Sequence, residues 1–169
     1  TLGYNPIMKL HEYQAKALLA ERGALVPHGR VASTVEETVA AWREAGRGRV
    51  AIKAQVHAGG RGKAGGIRLA ETEAEVRAAA AAIIGMRIVN NQTGPEGRKV
   101  RRVLVEEAFA IEREFYAAVS LSRALGAPVF VVSRCGGMEI EETAARDPKA
   151  ILREPFHPLG GLRPHQARR

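Results

Sequence analysis

Residues 50 to 69 constrain this chain more than any other stretch. A short apolar run carrying one lysine, Val50 to Ala54, leads into a glycine-rich basic loop, and a second apolar run restarts at Ile67. Val50, Ile52 and Val56 favour extended backbone, and Ile67 to Leu69 resumes the same pattern. Five glycines lie between Gly59 and Gly66, with Arg61 and Lys63 among them. Glycine permits positive φ and lets a ligand approach the backbone closely. Exposed N–H groups beside two cations make a cradle for an anion. The stretch therefore reads as a strand–loop–strand hairpin that clamps the phosphates of a nucleotide. A mobile surface hairpin is the alternative that the stretch alone leaves open.

Short phosphate patterns do not settle the choice. Gly60, Gly62 and Gly65 fit G-x-G-x-x-G, but a dinucleotide-binding unit needs a helix to open there, and a strand-like segment follows instead. A P-loop needs Ser or Thr after Gly62-Lys63, and Ala64 stands in that place. Val50 to Lys53 resembles the lysine strand of a protein kinase. In a kinase the lysine follows the glycine loop; here it precedes the loop, and neither H-R-D nor D-F-G occurs. A lysine in an apolar strand is costly to bury without an anionic partner. For Lys53 that partner is either a phosphate or a nearby carboxylate.

The 169 residues suit one domain of ordinary size, and 46% hydrophobic with 26% charged residues is a globular balance rather than a disordered one. A single cysteine, Cys135, rules out an internal disulfide framework and fits a reducing, cytoplasmic compartment. The expectation is no membrane span and no secretory signal, with residues 1–7 before Met8 read as upstream sequence. A formal charge of +8 raises nucleic acid as a partner. The bases are spread along the chain, with one dense run at Arg98 to Arg102, and no aromatic residues alternate with them as stacking platforms. The expectation is no nucleic acid.

Helical spacing of Leu10, Tyr13, Ala17 and Leu18 predicts a helix that Gly23 ends. Arg30 to Ala32 reads as a strand. Ser33 with Glu36 reads as a capping box ahead of a helix with Val35, Val39 and Trp42 on its apolar face. Thr72 with Glu75 repeats the pattern before a helix over 73–84 that Gly85 stops. Val100 to Val105 predicts a strand ending in Glu106-Glu107. Glu114 to Leu121 and Val129 to Val132 predict an antiparallel pair. Ile140 to Arg146 predicts a helix, with Asp147 a turn residue before Pro148. The end, from Glu154 to Arg169, reads as an irregular tail.

Longer segments carry a family resemblance. Met8-Lys-Leu-His-Glu-Tyr-Gln-Ala-Lys16 resembles the opening of the β-subunit of ADP-forming succinate–CoA ligase. Lys53 to Gly66 resembles that family's ATP-grasp hairpin almost residue for residue. Gln92 to Gly97, Leu104 to Glu106, Arg113 to Tyr116 and Gly136 to Glu142 fit as well. Gly94 to Gly97 and Gly136 to Glu142 are equally similar to the malate–CoA ligase β-subunit. The resemblance covers Met8 to about Ala167.

The resemblance implies an α/β ATP-grasp fold in two lobes. Residues 8–27 would be a helix of the larger lobe, 28–109 the small lobe, and 110–169 the start of the second lobe. It also implies site residues. Lys53 would contact nucleotide phosphates, and Gly60, Arg61 and Gly62 would lie over them. Glu106 would stand at the hinge beside the adenine, a backbone group of Phe109 would meet the base, and Glu114 would lie near the ribose. The implied chemistry is acid–thiol ligation with ATP and magnesium, through a phosphohistidine on a partner α-subunit that also binds coenzyme A. The acid would be a dicarboxylate, succinate or malate. Magnesium ligands and catalytic residues are expected outside these 169 residues, so the chain alone is expected to be inactive.

Overall fold

The computed structural model describes residues 9–136 and 140–168. Residues 1–8 lie outside the described set, as do 137–139 within the Gly136 to Glu142 segment. The chain divides into two compact units, one ending at Phe109 and the other beginning at Ala110.

The first unit runs α1 (Glu12–Glu21), β1 (Gly29–Ala32), α2 (Val35–Glu44), β2 (Val50–Ala54), β3 (Ile67–Ala70), α3 (Glu73–Ile83), β4 (Arg87–Ile88), β5 (Arg98–Lys99) and β6 (Val103–Glu107). Four strands form an antiparallel sheet in the order β1-β6-β2-β3, and β4 pairs with β5 in a separate ribbon. The last strand thus enters between the first and the second. Ile52 pairs with Val105 and Ala54 with Val103. Strand side chains alternate between faces, so these apolar residues share one side of the sheet. That side carries the core. Ile52, Val103 and Val105 meet Val39 and Trp42 of α2 and Val76 and Ile83 of α3. Burying each such side chain contributes about 1.5–3 kcal/mol. On the opposite face the same alternation places Lys53 and Glu106.

The helix signals hold with one shift. Thr72 Oγ1 accepts from the Glu75 amide at 3.3 Å, and the Glu75 carboxylate accepts from the Thr72 amide at 3.1 Å, closing the expected box. At α2 the cap is Thr34 rather than Ser33. Thr34 Oγ1 accepts from the Glu37 amide at 3.1 Å, and Glu37 accepts from the Ser33 amide at 2.7 Å. Strand β1 stays paired through Ala32 with Val103, so the chain cannot turn into helix as early as Ser33.

The expected strand over Val100 to Val105 is two strands. Residues 98–99 pair with 87–88, and 103–107 join the main sheet. Val100 sits between them, exchanging backbone bonds of 2.8 and 2.9 Å with Met86 and Gly85. One apolar run is divided because the chain changes pairing partner within it.

The second unit contains β7 (Tyr116–Ser122), β8 (Ala127–Ser133), α4 (Ile140–Arg146), a 3₁₀ turn (Pro148–Ala150), β9 (Ile151–Pro155) and a short helix α5 (Pro164–Ala167). The β7–β8 hairpin and α4 form where the sequence predicts them. Asp147 accepts from the Lys149 amide at 3.0 Å, a turn role. The expected tail is partly ordered, since Ile151–Pro155 pairs with β8 as the third strand. Pro155 is tolerated because it ends an edge strand, where its missing donor breaks no ladder.

Candidate functional site

The site face of the first unit is built from α1, β2, β6 and the loop between β2 and β3. Lys53 pairs with Leu104 and Glu106 with Ala51, so the two side chains are diagonal neighbours on one face. Glu106 is only 2% exposed. Its carboxylate accepts from Lys53 Nζ and from Lys16 Nζ on α1. One turn earlier on the same helix, Glu12 accepts from Lys16 at 3.1 Å and lies 3.7 Å from Lys53. Arg61 completes the group, with Nη2 2.7 Å from Glu12 and Nη1 donating to the Ala54 carbonyl at 2.7 Å. Three cations thus enclose two carboxylates, leaving one excess positive charge. Burial by itself would raise the Glu12 pKa, but the charge and hydrogen bond of Arg61, the Lys16 bond and the Lys53 charge hold it at about 2.

The loop over this cluster is a folded object. Gly66 donates to the Arg61 carbonyl at 2.7 Å, and its own carbonyl accepts from Ala54 at 2.7 Å, closing the loop onto β2. Gly60 and Gly65 take φ of +63° and +74°, which L side chains rarely adopt. A Cβ on Gly66 would meet Ile88 Cδ1 at 2.8 Å and the Arg61 oxygen at 3.1 Å. The far side is braced from 90–92: Gln92 Oε1 accepts from the Gly59 amide at 2.7 Å, and Asn90 donates to the Gly59 carbonyl at 2.8 Å. The amides of Gly60, Arg61 and Gly62 make no hydrogen bond to another described residue. Beside Glu106 a cavity of about 370 Å³ opens between α1 and β1, lined by Ala17, Ala20, Val26, Pro27 and Gly29.

A family model described as "ATP-grasp domain" matches residues 9–169. The chain belongs to the ATP-grasp domain family. Among curated proteins it is 50% identical over 165 residues to the succinate–CoA ligase [ADP-forming] subunit beta of Acidobacterium capsulatum, covering 95% of this chain and 42% of that protein. It is 51% identical over 162 residues to the protein of the same name from Solibacter usitatus, covering 96% and 42%. The chain thus spans under half the length of these relatives. Among solved structures it resembles the dinucleotide-forming acetyl-coenzyme A synthetase 1 of Ca. Korarchaeum cryptofilum, in complex with coenzyme A, Ca-AMPCP and HgCl+. That match has 26% identity and a TM-score of 0.61, over 74% of this chain and 53% of the other.

Within this ATP-grasp unit, Lys53, Arg61 and Glu106 come together in one cluster, with Gly60 and Gly62 in the loop above it. Phe109 lies two residues past β6 and is 57% exposed. Glu114 belongs to the second unit, where its carbonyl accepts from the Gly136 amide at 3.2 Å. The Arg61 guanidinium is held by Glu12 and the Ala54 carbonyl. Sequence reasoning assigned no role to Glu12, Lys16, Asn90 or Gln92. Their signal was present only as spacing: Glu12 and Lys16 are one helical turn apart, and an acid and a base on one helix face usually mean no more than a solvated pair. Among the described residues no group of three or more His, Cys, Asp and Glu side chains could hold a metal ion. No helix among them is long and apolar enough to cross a membrane.

Proposed function

We propose that this chain is the nucleotide-binding part of an ADP-forming acid–CoA ligase β-subunit of the succinate–CoA ligase type. The observation that carries the reading is the convergence of Lys53 and Arg61 on one carboxylate, Glu12, directly under a loop with three open amides. A triphosphate would take the place of Glu12 as the partner of these cations. The amides of Gly60, Arg61 and Gly62 would then cap the phosphate oxygens, as in other backbone nests. Phosphoryl transfer needs position and charge neutralisation more than a protein nucleophile, which suits a site made of amides, lysine and arginine.

The purine would occupy the cavity beside Glu106, whose lining of Ala17, Ala20, Val26 and Pro27 is apolar. Backbone at Phe109 would meet the base, and Glu114 would serve the ribose. Residues 28–109 act as the small lobe and 110–169 as the beginning of the second. Magnesium would accompany the nucleotide, with protein ligands outside these 169 residues. The reaction would join a dicarboxylic acid, succinate first, to coenzyme A. It would run through a phosphohistidine on a partner α-subunit, in the cytoplasm.

The test is limited proteolysis of the full-length protein. Magnesium–ATP should protect the loop over 55–66 from cleavage, and Lys53→Ala should remove that protection. Equal protection in the variant would take Lys53 out of the site.

A further inference from the structure

The dense basic run Arg98 to Arg102 plays no part in the nucleotide site described above. Its surroundings form a cavity of about 530 Å³ in the first unit, which adjoins the glycine loop through His57 and Gln92. Five cations line it: Lys9, Arg98, Lys99, Arg101 and Arg102. No carboxylate is among its lining residues. Lys9, Arg98, Lys99 and Arg101 form no ion pair with a described residue, whereas Arg102 is steadied by Tyr13 Oη at 3.2 Å. This contrasts with the Lys53 cluster, where every cation faces a carboxylate.

The fold explains why the bases converge. Strand β5 carries Arg98 and Lys99 in a two-residue ribbon with β4, and the chain then crosses to β6 through Arg101 and Arg102. The Arg102 carbonyl accepts from the Gln55 amide at 2.9 Å, which pins this crossing beside the end of β2. The His11 and His57 rings stack at 3.9 Å and contribute an aromatic wall. His11 is held below its ordinary pKa by burial first, then by the positive charge of His57, Arg102 and Arg61. The lining itself carries no acid, and Glu12, 3.5 Å from Gln55 Nε2 of that lining, is already paired with Arg61, Lys16 and Lys53. Like charges at such spacing cost free energy unless an anion joins them.

We propose that this cavity is a second anion site, for a small molecule carrying two or more phosphate groups. Five positive charges around one cavity exceed what a single carboxylate needs, and its volume suits a small organic ligand. Arginine supplies most of the charge, and its planar fork matches phosphate oxygens in pairs. The free anion or a phosphate ester would meet the same groups.

The experiment uses the full-length protein with the nucleotide site saturated by a non-hydrolysable ATP analogue. Binding of inorganic tripolyphosphate and, in a parallel arm, of glucose 1,6-bisphosphate is measured by calorimetry. At least one probe should bind, and the tighter arm identifies the source of the phosphate. In Arg98→Gln/Arg101→Gln that affinity should fall about tenfold or more, from the loss of two charges at the anion. Affinity for the ATP analogue should stay within about twofold, since neither arginine touches the Lys53 cluster. Both positions are exposed, and the circular dichroism spectrum confirms that the variant folds. Binding of neither probe, or equal binding by wild type and variant, overturns the proposal. So does complete displacement of the probe by the ATP analogue, which would mean that the probe reports the nucleotide site.

Discussion

Replacing Glu12 by Gln tests the charge cluster most directly. The carboxyl sits at about 2 against an ordinary 4.5, and a tenfold change in proton affinity is worth 1.36 kcal/mol, so the gross stabilisation is about 3.4 kcal/mol. The side chain is about one-fifth exposed, and solvent screening reduces this to about 2 kcal/mol. The sign follows from linkage. A carboxyl whose folded pKa is depressed contributes fully above its unfolded value and loses that contribution as pH falls through the folded value. Urea denaturation of wild type and variant at pH 7, 5 and 3 should give a difference of about 2 kcal/mol at pH 7. The difference should be nearly as large at pH 5 and under half of that at pH 3, inside the window from 4.5 down to about 2. A difference that does not change with pH would refute the reasoning, because it would come from packing and not from charge.

Two further substitutions test the geometry. Gly66→Ala should destabilise by about 1–3 kcal/mol in thermal melts, because the added methyl meets Ile88 and the Arg61 carbonyl inside 3.2 Å. Thr34→Ala should cost about 1 kcal/mol and Ser33→Ala under about 0.5 kcal/mol, since only Thr34 presents a side-chain acceptor to the start of α2. The reverse order would return the cap to Ser33.

Much of the first unit was legible from local chemistry. Thr72 and Glu75 announce α3 because both capping bonds lie within four residues. The hairpin over 50–69 was readable because β-branched residues flank a segment that needs positive φ. Extended β3 indeed begins at Ile67, with no helix springing from Gly65. The misread strand at Val100 shows the limit. Nothing local tells a chain that one apolar run will serve two different sheets.

The amino-acid order by itself determined helices α1 to α4, strands β1 and β2, the β7–β8 hairpin, and that a cationic glycine loop joins β2 to β3. Only the tertiary structure decided that β6 lies between β1 and β2. That choice sets Glu106 against Lys53, 53 residues away, and against Lys16, 90 residues away. The physical reason is range. Capping and turn formation are satisfied within a few bonds of the residue concerned. The partners of a buried charge are found only once distant strands have paired and a helix has been laid across them.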